Sequence, residues 1–394
     1  MIFQKSYDKL TRMIWRYLKD IFYVDSVSDT GIVQNLNYDN SHAQKKLLIC
    51  YTANGYFTNM ECKTGRTIQQ EIFKIVSTFS DFGYCIDIIS CNHEGSFNLV
   101  SQKHYDLIFG FGENFFKMTC LQPDALSILY MTENHPAFSF REEGKRLEYF
   151  YKRHGRKVSF QRSGRYYKLH HLEKKYCHVI TLSDTFSLLS QYPKPYNIFP
   201  SGIINQRFKF NAKNHLAARK NFLWLGSTGA IHKGLDILID VFRQRDDIIL
   251  HICGLNKYEK KLLSIPKTKN IIEYGYIDIS SDIFLELMNY CSFIILPSCS
   301  EGFSTAITTG MLHGLIPIVM KDAGFNRLGS YAIFLENYTT EYVNEKLTEM
   351  ANETPERLNE LNIQVFQFAR ESFVISKFGA DFKNIISEIL SREN

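Results

Sequence analysis

The stretch FIILPSCSEGFSTAITTGMLHGLIPIVM, residues 293–320, decides the fold more than any other part of this 394-residue chain. Its apolar run 293–296 predicts a buried strand, and the polar residues that follow predict a loop carrying Glu301 and Gly302. A helix is predicted up to about His313, and 316–320 predicts the next strand. This order is typical of a strand–loop–helix–strand unit in a parallel sheet. The loop therefore places a carboxylate beside a helix start at the carboxyl end of a strand, where open α/β sheets bind ligands.

The same alternation of short apolar runs and helix-sized segments recurs through most of the chain. It begins near Lys46, stops over the polar and basic residues 203–220, and restarts at Phe222. The predicted strands are 47–51, 86–90, 107–109, 127–131, 179–182 and 196–199 before this break, and 222–225, 248–253, 271–274, 293–296 and 316–320 after it. The pattern predicts an α/β protein with two Rossmann-like, doubly wound domains that face a cleft.

The domain organisation predicted from these patterns has four parts. Residues 1–42 form an N-terminal amphipathic helix and a linker, 43–205 a first domain, 206–375 a second domain, and 376–394 a C-terminal helix that can cross back to the first domain. The helical spacing of residues 2–22 favours packing on the domain's own surface, with a basic helix on an anionic membrane as the alternative.

Composition narrows the class of protein. The chain is 45% hydrophobic and 22% charged, which is typical of a globular protein. No apolar run approaches the roughly 20 residues that span a bilayer, and charges interrupt the N-terminus where a secretory signal would be apolar. Nine scattered cysteines without a CxxC pair favour reduced thiols over disulfides or a zinc site. We expect a cytoplasmic protein without metal or cofactor, with peripheral contact at the inner face of the membrane as a further option.

The positive charge is concentrated in one segment. Residues 141–175 hold twelve Lys and Arg against four Glu. One interpretation is a platform for an acceptor or a membrane surface, and another is an ordinary solvated helix and loop. Nucleic-acid binding is the least favoured interpretation.

A second loop complements the one that carries Glu301. The second domain opens with FLWLGSTGAIHKGLD, residues 222–236, in which Gly226 and Gly229 give a tight turn whose amides can face a phosphate. Lys233 follows as a mobile positive charge. Because both loops follow strands, they should open on one edge of the sheet. A cation and a carboxylate at such an edge fit a ligand that carries phosphate and hydroxyl groups, such as a nucleotide sugar.

These residues resemble the nucleotide-sugar domain of GT-B glycosyltransferases, most closely glycosyltransferase family 4. The matching pieces run in the family's order and spacing over about residues 221–325: LGS and KG (225–234), ICG (252–254), YGYI (274–277), YCSFIILPS (290–298), EGF (301–303) and MLHGLIPIV (311–319). The first domain matches more loosely, through residues 64–66, 82–84, 183 and 200–202.

The resemblance implies a retaining, metal-independent transfer from a nucleotide-sugar donor to a glycan or lipid-linked acceptor, in surface polysaccharide synthesis. Lys233 would hold the donor diphosphate, and Glu301 would accept hydrogen bonds from sugar hydroxyls. His135 would contact the sugar from across the cleft, although a structural role is equally open. His232 is expected to be structural or solvent-facing.

The resemblance also implies sets of binding residues. Those for the donor are Gly226, Ser227, Thr228, Gly229, Lys233, Ile277, Glu301, Gly302, Phe303, Ser304, Thr305 and Thr309. Those for the diphosphate or the acceptor are Gly65, Arg66 and Glu133.

Two positions depart from the family pattern. Ser227 stands where the family usually has Arg, and Thr309 where it usually has a second Glu. Each lost charged hydrogen bond weakens binding by about 1.5–3 kcal/mol unless another group replaces it. Arg66 is the expected replacement for the missing cation. These departures favour one alternative to an active transferase, a non-catalytic GT-B partner that binds sugar or nucleotide. A nucleotide-sugar epimerase or a phosphorylase on the same fold is a further alternative.

Overall fold

The protein is described by a computed structural model that covers residues 32–38, 44–51, 67–172, 174–184, 195–211 and 213–393. The predicted helix at 2–22 and the predicted site residues Gly65 and Arg66 lie outside the described residues. In the described part, no helix combines the length and the apolar character that crossing a membrane requires.

Thirteen described strands form two separate sheets. The strands are β1 Ile32–Leu36, β2 Lys46–Tyr51, β3 Cys85–Ser90, β4 Leu107–Gly110, β5 Leu126–Met131, β6 His178–Thr181, β7 Tyr196–Asn197, β8 Asn221–Leu225, β9 Ile249–Cys253, β10 Ile271–Gly275, β11 Phe293–Leu296, β12 Ile316–Met320 and β13 Ile333–Leu335. The first sheet has the order β1-β3-β2-β4-β5-β6-β7 and the second β10-β9-β8-β11-β12-β13. We call the parts of the chain that carry them the first and the second domain.

Helices connect the strands on both sides of each sheet. They are α1 Thr67–Asp81, α2 Glu94–Asn98, α3 Gly112–Leu121, α4 Pro136–His154, α5 His215–Ala218, α6 Leu235–Phe242, α7 Lys257–Leu263, α8 Asp282–Tyr290, α9 Thr305–Met311, α10 Thr340–Asn352, α11 Pro355–Ser372 and α12 Ile375–Glu393. Local sequence sets several boundaries. The Thr354 side chain caps α11 just before a proline, and Gly155 ends α4 in the left-handed conformation.

The predicted fold class is confirmed, because the strands of both sheets, apart from the edge strand β1, pair parallel. Strand β1 lies within residues 1–42, for which the sequence predicted only a helix and a linker, and it pairs antiparallel with β3 at the edge of the first sheet. β1 has only five residues, and Asn35 within it and Asn37 just after it adopt positive φ angles of 56° and 61°. Its strand conformation therefore depends on pairing with β3, and the sequence of β1 by itself does not predict a strand.

The last helix, α12, returns from the second domain to the first. Phe382 packs edge-on against Phe79 of α1 and Phe109 of β4, with ring centroids 5.9 and 5.6 Å apart. Lys383 forms an ion pair with Asp81 at the end of α1.

Helix α4 makes a second connection between the domains. Arg146 is fully buried and donates from Nη1 to the carbonyl oxygen of Pro297 at 2.9 Å. Arg153 forms ion pairs with Asp236 and Asp240 of α6. These arginines belong to the basic segment 141–175, so the structure contradicts the interpretation of a purely solvated helix there.

Candidate active site

Lys233 and Glu301 lie on two loops that open at the same edge of the second sheet. Lys233 lies in the turn between β8 and α6, and Glu301 in the loop between β11 and α9. β8 and β11 are parallel neighbours, with Phe222 opposite Phe293. Because the carboxyl ends of parallel neighbours meet at one edge, the two side chains reach the same space.

Both residues line a cavity of about 250 Å³ whose walls come from the two domains. The wall from the first domain and the connecting segment consists of Tyr51, Ile68, Glu71, Phe111, Thr132, Glu133, Asn134, Ser139, Arg162, Ser163, Tyr166, Leu182 and Pro200. The second-domain wall consists of Ser227, His232, Lys233, Ser300, Glu301, Gly302, Phe303, Ser304 and Thr305.

Glu301 is held as a carboxylate inside this cavity. Burial alone would raise its pKa, but the charges of Lys233 and Arg162 outweigh that effect and hold the pKa below its usual value. Ser298 Oγ donates to Glu301 Oε1 at 2.7 Å, whereas Oε2 accepts no hydrogen bond from the described part of the chain. Burial lowers the pKa of Lys233, and Glu301 opposes this shift. The cavity therefore offers a buried cation and an open carboxylate oxygen.

Arg162 brings a second cation into the cavity from the first domain. Its Nη2 donates to Glu133 Oε1 at 3.1 Å. Burial acts to lower the pKa of Arg162, but Glu133 and Glu301 reverse the shift and raise it. Its Cγ lies 2.8 Å from the point where a side chain at Gly229 would place its Cβ, so this approach requires glycine. Arg162 therefore adds a guanidinium to the cavity from the first domain.

The loop that carries Arg162 is held by Glu143 of α4. The Glu143 carboxylate accepts the backbone N–H groups of Gln161 at 2.6 Å, Arg162 at 3.1 Å and Ser163 at 2.7 Å. Gln161 Oε1 in turn accepts the N–H groups of Ile231 and His232 in the second domain, each at 3.1 Å. Arg162 is therefore placed by hydrogen bonds that cross the domain boundary.

His232 is buried beside this loop, so it is not solvent-facing. Its Nδ1 lies 3.4 Å from Glu143 Oε2, and its Nε2 lies 2.6 Å from the carbonyl oxygen of Ser300. Burial disfavours a charged ring, but Cys299 and Glu143 reverse this and raise the pKa of His232. The protonated ring links α4 of the first domain to the loop that carries Glu301.

Gly302 allows the two domains to approach closely at the cavity. A Cβ at this position would lie 2.0 Å from the carbonyl oxygen of Thr132 and 2.8 Å from the Cα of Glu133. Contacts this short do not occur between real atoms, so any larger residue would force the walls apart. The glycine of the predicted Glu–Gly pair therefore sets the width of the cavity.

The structure brings most of the predicted second-domain site residues to the cavity. Those in its wall are Ser227, Lys233, Glu301, Gly302, Phe303, Ser304 and Thr305, joined by Glu133 from the first domain. Gly226, Thr228 and Ile277 are absent from the wall. Gly226 lies against the ring of Trp224, and Ile277 follows the edge strand β10, which β9 and β8 separate from β11.

At two further predicted donor-binding positions, Gly229 and Thr309, other groups of the chain already form hydrogen bonds with the predicted binding atoms. Gly229 N and Ala230 N both donate to Glu259 Oε1, at 2.5 and 2.8 Å, so these amides are not available to a phosphate. The Thr309 hydroxyl accepts the N–H of Ile203 at 3.1 Å and is buried.

His135 also differs from its predicted role in the cleft. Its Nδ1 accepts the N–H of Ala137 at 3.2 Å, which caps the start of α4. It does not belong to the described wall of the cavity. The structure therefore favours the structural interpretation that the sequence left open.

One group of described side chains could together hold a metal ion, but it lies outside the cavity. The ligand atoms of Glu113, His170 and His171 lie within 4.8 Å of one another. Glu113 Oε2 already accepts a hydrogen bond from Lys168 Nζ at 2.9 Å. A separate cavity of about 320 Å³ lies at the amino ends of the first-sheet strands, where Lys103 and Asp87 pair with each other at 2.8 Å.

Several wall residues were not singled out from the sequence. Tyr51, Phe111 and Leu182 directly follow or end strands of the first sheet, so the rule that ligands bind at the carboxyl ends of parallel strands could have found them. Glu71 and Arg162 carry no such signal, because one lies within a helix and the other within a long loop.

Comparison with solved structures places this fold among GT-B proteins. Sucrose-phosphate synthase from Thermosynechococcus elongatus aligns with a TM-score of 0.60 at 10% identity, over 89% of this chain and 100% of that chain. HepE from Anabaena, in complex with UDP and glucose, aligns with a TM-score of 0.57 at 12% identity, over 89% and 100%. WaaG, a glycosyltransferase involved in lipopolysaccharide biosynthesis, aligns with a TM-score of 0.56 at 16% identity, over 86% and 99%. At these identities the likeness shows the fold alone.

Sequence comparison defines the class more closely. Residues 206–360 match the family "Glycosyl transferases group 1". An uncharacterized glycosyltransferase of Methanocaldococcus jannaschii, MJ1178, is 28% identical over 124 residues, and the match covers 30% of this chain and 35% of the length of that curated relative. The predicted GT-B fold is confirmed, and residues 206–360 match a glycosyltransferase family, with which the resemblance to family 4 is consistent.

Proposed function

We propose that this protein is a retaining glycosyltransferase that moves a sugar from a nucleotide-sugar donor to a glycan or lipid-linked acceptor. The observation that carries the proposal is the joint position of Lys233 and Glu301 in one cavity between the domains. Lys233 supplies positive charge for the donor diphosphate, and Glu301 Oε2 is open to accept hydrogen bonds from sugar hydroxyls. The complex of HepE with UDP and glucose supports a donor of this kind.

The charges in the cavity support a mechanism that needs no metal ion. When the bond between the sugar and the diphosphate breaks, negative charge develops on the leaving group. Lys233 and Arg162 both line the cavity and can stabilise that charge from the two domains. Transfer should therefore persist in the presence of EDTA. The proposed retaining mechanism is tested separately: NMR of the product should show the same anomeric configuration as the donor.

The biological setting that we propose is the synthesis of a surface polysaccharide at the cytoplasmic face of a membrane. WaaG, which shares the fold, is involved in lipopolysaccharide biosynthesis and supports this direction. Vesicle co-sedimentation of the full chain, with and without anionic lipid, tests the membrane contact.

The donor site is tested by screening UDP-, GDP-, ADP- and dTDP-sugars for thermal stabilisation and then measuring turnover of the donor that binds. The variants Lys233→Ala and Glu301→Ala should each reduce kcat/KM by about 100- to 1,000-fold, because each removes a charged group that acts on the transition state.

Matched controls separate this effect from a general loss of second-domain charge. Lys267 and Glu286 are exposed residues of the same domain, so Lys267→Ala and Glu286→Ala should leave turnover unchanged. Unchanged turnover in Lys233→Ala and Glu301→Ala would show that the assigned roles are wrong.

A non-catalytic GT-B partner is the second candidate, and one observation favours it. Glu259 occupies the amides of Gly229 and Ala230, and Thr309 bonds to the backbone, so predicted donor contacts are already satisfied within the chain. Binding of a donor without turnover across the panel, with or without sugar acceptors, would favour this candidate over the transferase.

A further inference from the structure

Glu71 is a buried carboxyl group in the cavity that the proposed mechanism does not use. It lies on α1 of the first domain and is 3% exposed. The backbone N–H and the hydroxyl of Ser201 both donate to its Oε1, at 2.7 and 3.1 Å. These two bonds fix the carboxyl group to the segment that connects the domains.

The second oxygen of Glu71 is open to the cavity. Oε2 accepts no hydrogen bond from the described residues, although the side chain belongs to the cavity wall. Because this oxygen accepts no hydrogen bond from the described residues, a ligand that donates one can bind it without displacing a contact of the chain. Sugar hydroxyl groups are donors of this kind.

An aromatic row continues the wall beside Glu71. The Tyr51 and Phe111 rings meet edge to face with centroids 5.3 Å apart, and Phe111 meets Tyr166 in the same manner at 5.6 Å. All three rings line the cavity. An apolar surface with a few convergent polar groups suits a ligand that has both an apolar face and hydroxyl groups, as a sugar ring has.

The charges of this wall disfavour an anionic ligand. Its charged residues in the described part of the chain are Glu71, Glu133 and Arg162. Arg162 is paired with Glu133, so among the described charged residues of this wall Glu71 is the one that forms no ion pair. Within the basic segment, Arg153 is committed to Asp236 and Asp240, away from the wall.

We propose that the first-domain wall binds the acceptor as an uncharged sugar ring, that Glu71 Oε2 accepts a hydrogen bond from one of its hydroxyl groups, and that the same carboxyl group excludes anionic acceptors. This inference rests on the proposed function, and it narrows the acceptor to a neutral glycan end. A lipid-linked diphosphate can then carry the glycan only if its phosphates stay outside this wall.

The protonation of Glu71 gives the site a pH dependence. Burial raises the pKa of Glu71 to about 7, against the opposing hydrogen bonds from Ser201. Below that pH the carboxyl group is neutral and its acceptor strength falls, so binding of the sugar should strengthen as the pH rises through 7.

The test uses binding, so that it does not depend on turnover. The full chain is titrated by saturation-transfer NMR with the methyl glycosides of glucose, galactose and N-acetylglucosamine as neutral probes and with methyl glucuronide as the anionic probe. At least one neutral glycoside should bind about 10-fold or more tighter than methyl glucuronide. Glu71→Gln should weaken that binding by about 10- to 100-fold, narrow the difference between the probes and abolish the pH dependence. Affinity for UDP, measured by calorimetry, should stay the same.

A matched control distinguishes weaker sugar binding caused by the loss of Glu71 from weaker binding caused by a less stable protein. Asp87 is another buried carboxyl group of the first domain, at the opposite edge of the sheet, so Asp87→Asn should leave sugar binding unchanged. Any of three results would overturn the inference. Methyl glucuronide could bind with the same affinity as the neutral probes, or Glu71→Gln could bind sugars with wild-type affinity. The third is that no glycoside binds to a protein that does bind UDP. If UDP does not bind but the sugars do, and depend on Glu71, the inference stands and the proposed function fails.

Discussion

At the scale of single residues, this cavity obtains a cation from an unexpected place in the sequence. Ser227 cannot supply the charge that the family pattern places there, and Lys233 shares the cavity with three carboxyl groups, those of Glu71, Glu133 and Glu301. Arg162 reaches the same cavity from the first domain. A donor held by Lys233 and Arg162 would contact both domains, so its binding should favour the arrangement in which both side chains line one cavity.

The prediction at this scale concerns Arg162→Ala. Loss of the guanidinium removes a charged contact to the donor and leaves Glu133 buried without its partner. We expect the Kd for UDP, or for the nucleotide that the donor screen identifies, to rise about 10- to 100-fold by calorimetry. Arg165→Ala removes a cation three positions away that does not line the cavity and should leave the Kd unchanged.

A rescue experiment tests whether an arginine at position 227 can replace the guanidinium of Arg162. The double variant Arg162→Ala, Ser227→Arg places the guanidinium on the second-domain side of the same cavity, and it should recover part of the lost affinity. An Arg162→Ala protein that binds the nucleotide like the wild type would contradict the role of Arg162.

At the scale of elements, α4 is one of the parts of the first domain that pack on the second. Arg153 stacks over Tyr149 at 4.4 Å and pairs with Asp236, whose side chain is only 1% exposed. Burial raises the pKa of Asp236, and Arg153 opposes that shift. Because an uncompensated buried charge is costly, the pair is needed once Asp236 is in place.

Arg153→Ala should therefore destabilise the protein by about 3–5 kcal/mol, measured as a lower midpoint of thermal or urea unfolding. The same helix offers a matched control, since Lys152 and Glu148 form an ion pair with side chains 67% and 63% exposed. Lys152→Ala should leave the midpoint unchanged. Equal midpoints for the two variants would show that α4 does not hold the domains through Arg153.

The elements also show what the sequence could predict. Strands such as β11 and β12 are fully buried apolar runs, so their own residues predict them. Because β8 and β11 are neighbours in the sheet, the loops that follow them bring Lys233 and Glu301 together. β1 and β13 are short edge strands whose residues, except Leu335, are exposed or half-buried, so the apolar pattern does not predict them. Arg162 depends on a loop tied to Glu143, a contact between distant residues that periodicity cannot reveal.

At the scale of the whole molecule, the second domain contains buried histidines that make it sensitive to acid. Burial lowers the pKa values of His215, His251 and His313 to about 4, whereas an exposed histidine titrates near 6.5. The unfolded chain therefore takes up protons at a higher pH than the folded one. Their contribution to stability is complete above about pH 6.5 and is lost as the pH falls toward 4. Glu71, whose pKa is raised to about 7, acts in the opposite direction, as do other carboxyl groups such as Asp236 whose pKa burial raises.

The whole-molecule prediction isolates one of these histidines. His251 lies between the Tyr274 hydroxyl at Nδ1, 2.9 Å away, and Asn221 Oδ1 at Nε2, 3.0 Å away, so a neutral ring satisfies both contacts. Urea unfolding between pH 7 and 4.5 should show that His251→Gln loses less stability on acidification than the wild type, by up to about 1.4 kcal/mol per pH unit below 6.5. His104 is exposed, and His104→Gln should follow the wild type. If His251→Gln and the wild type lose stability in parallel, His251 is protonated in the folded protein at these pH values, and its burial is not a source of acid sensitivity.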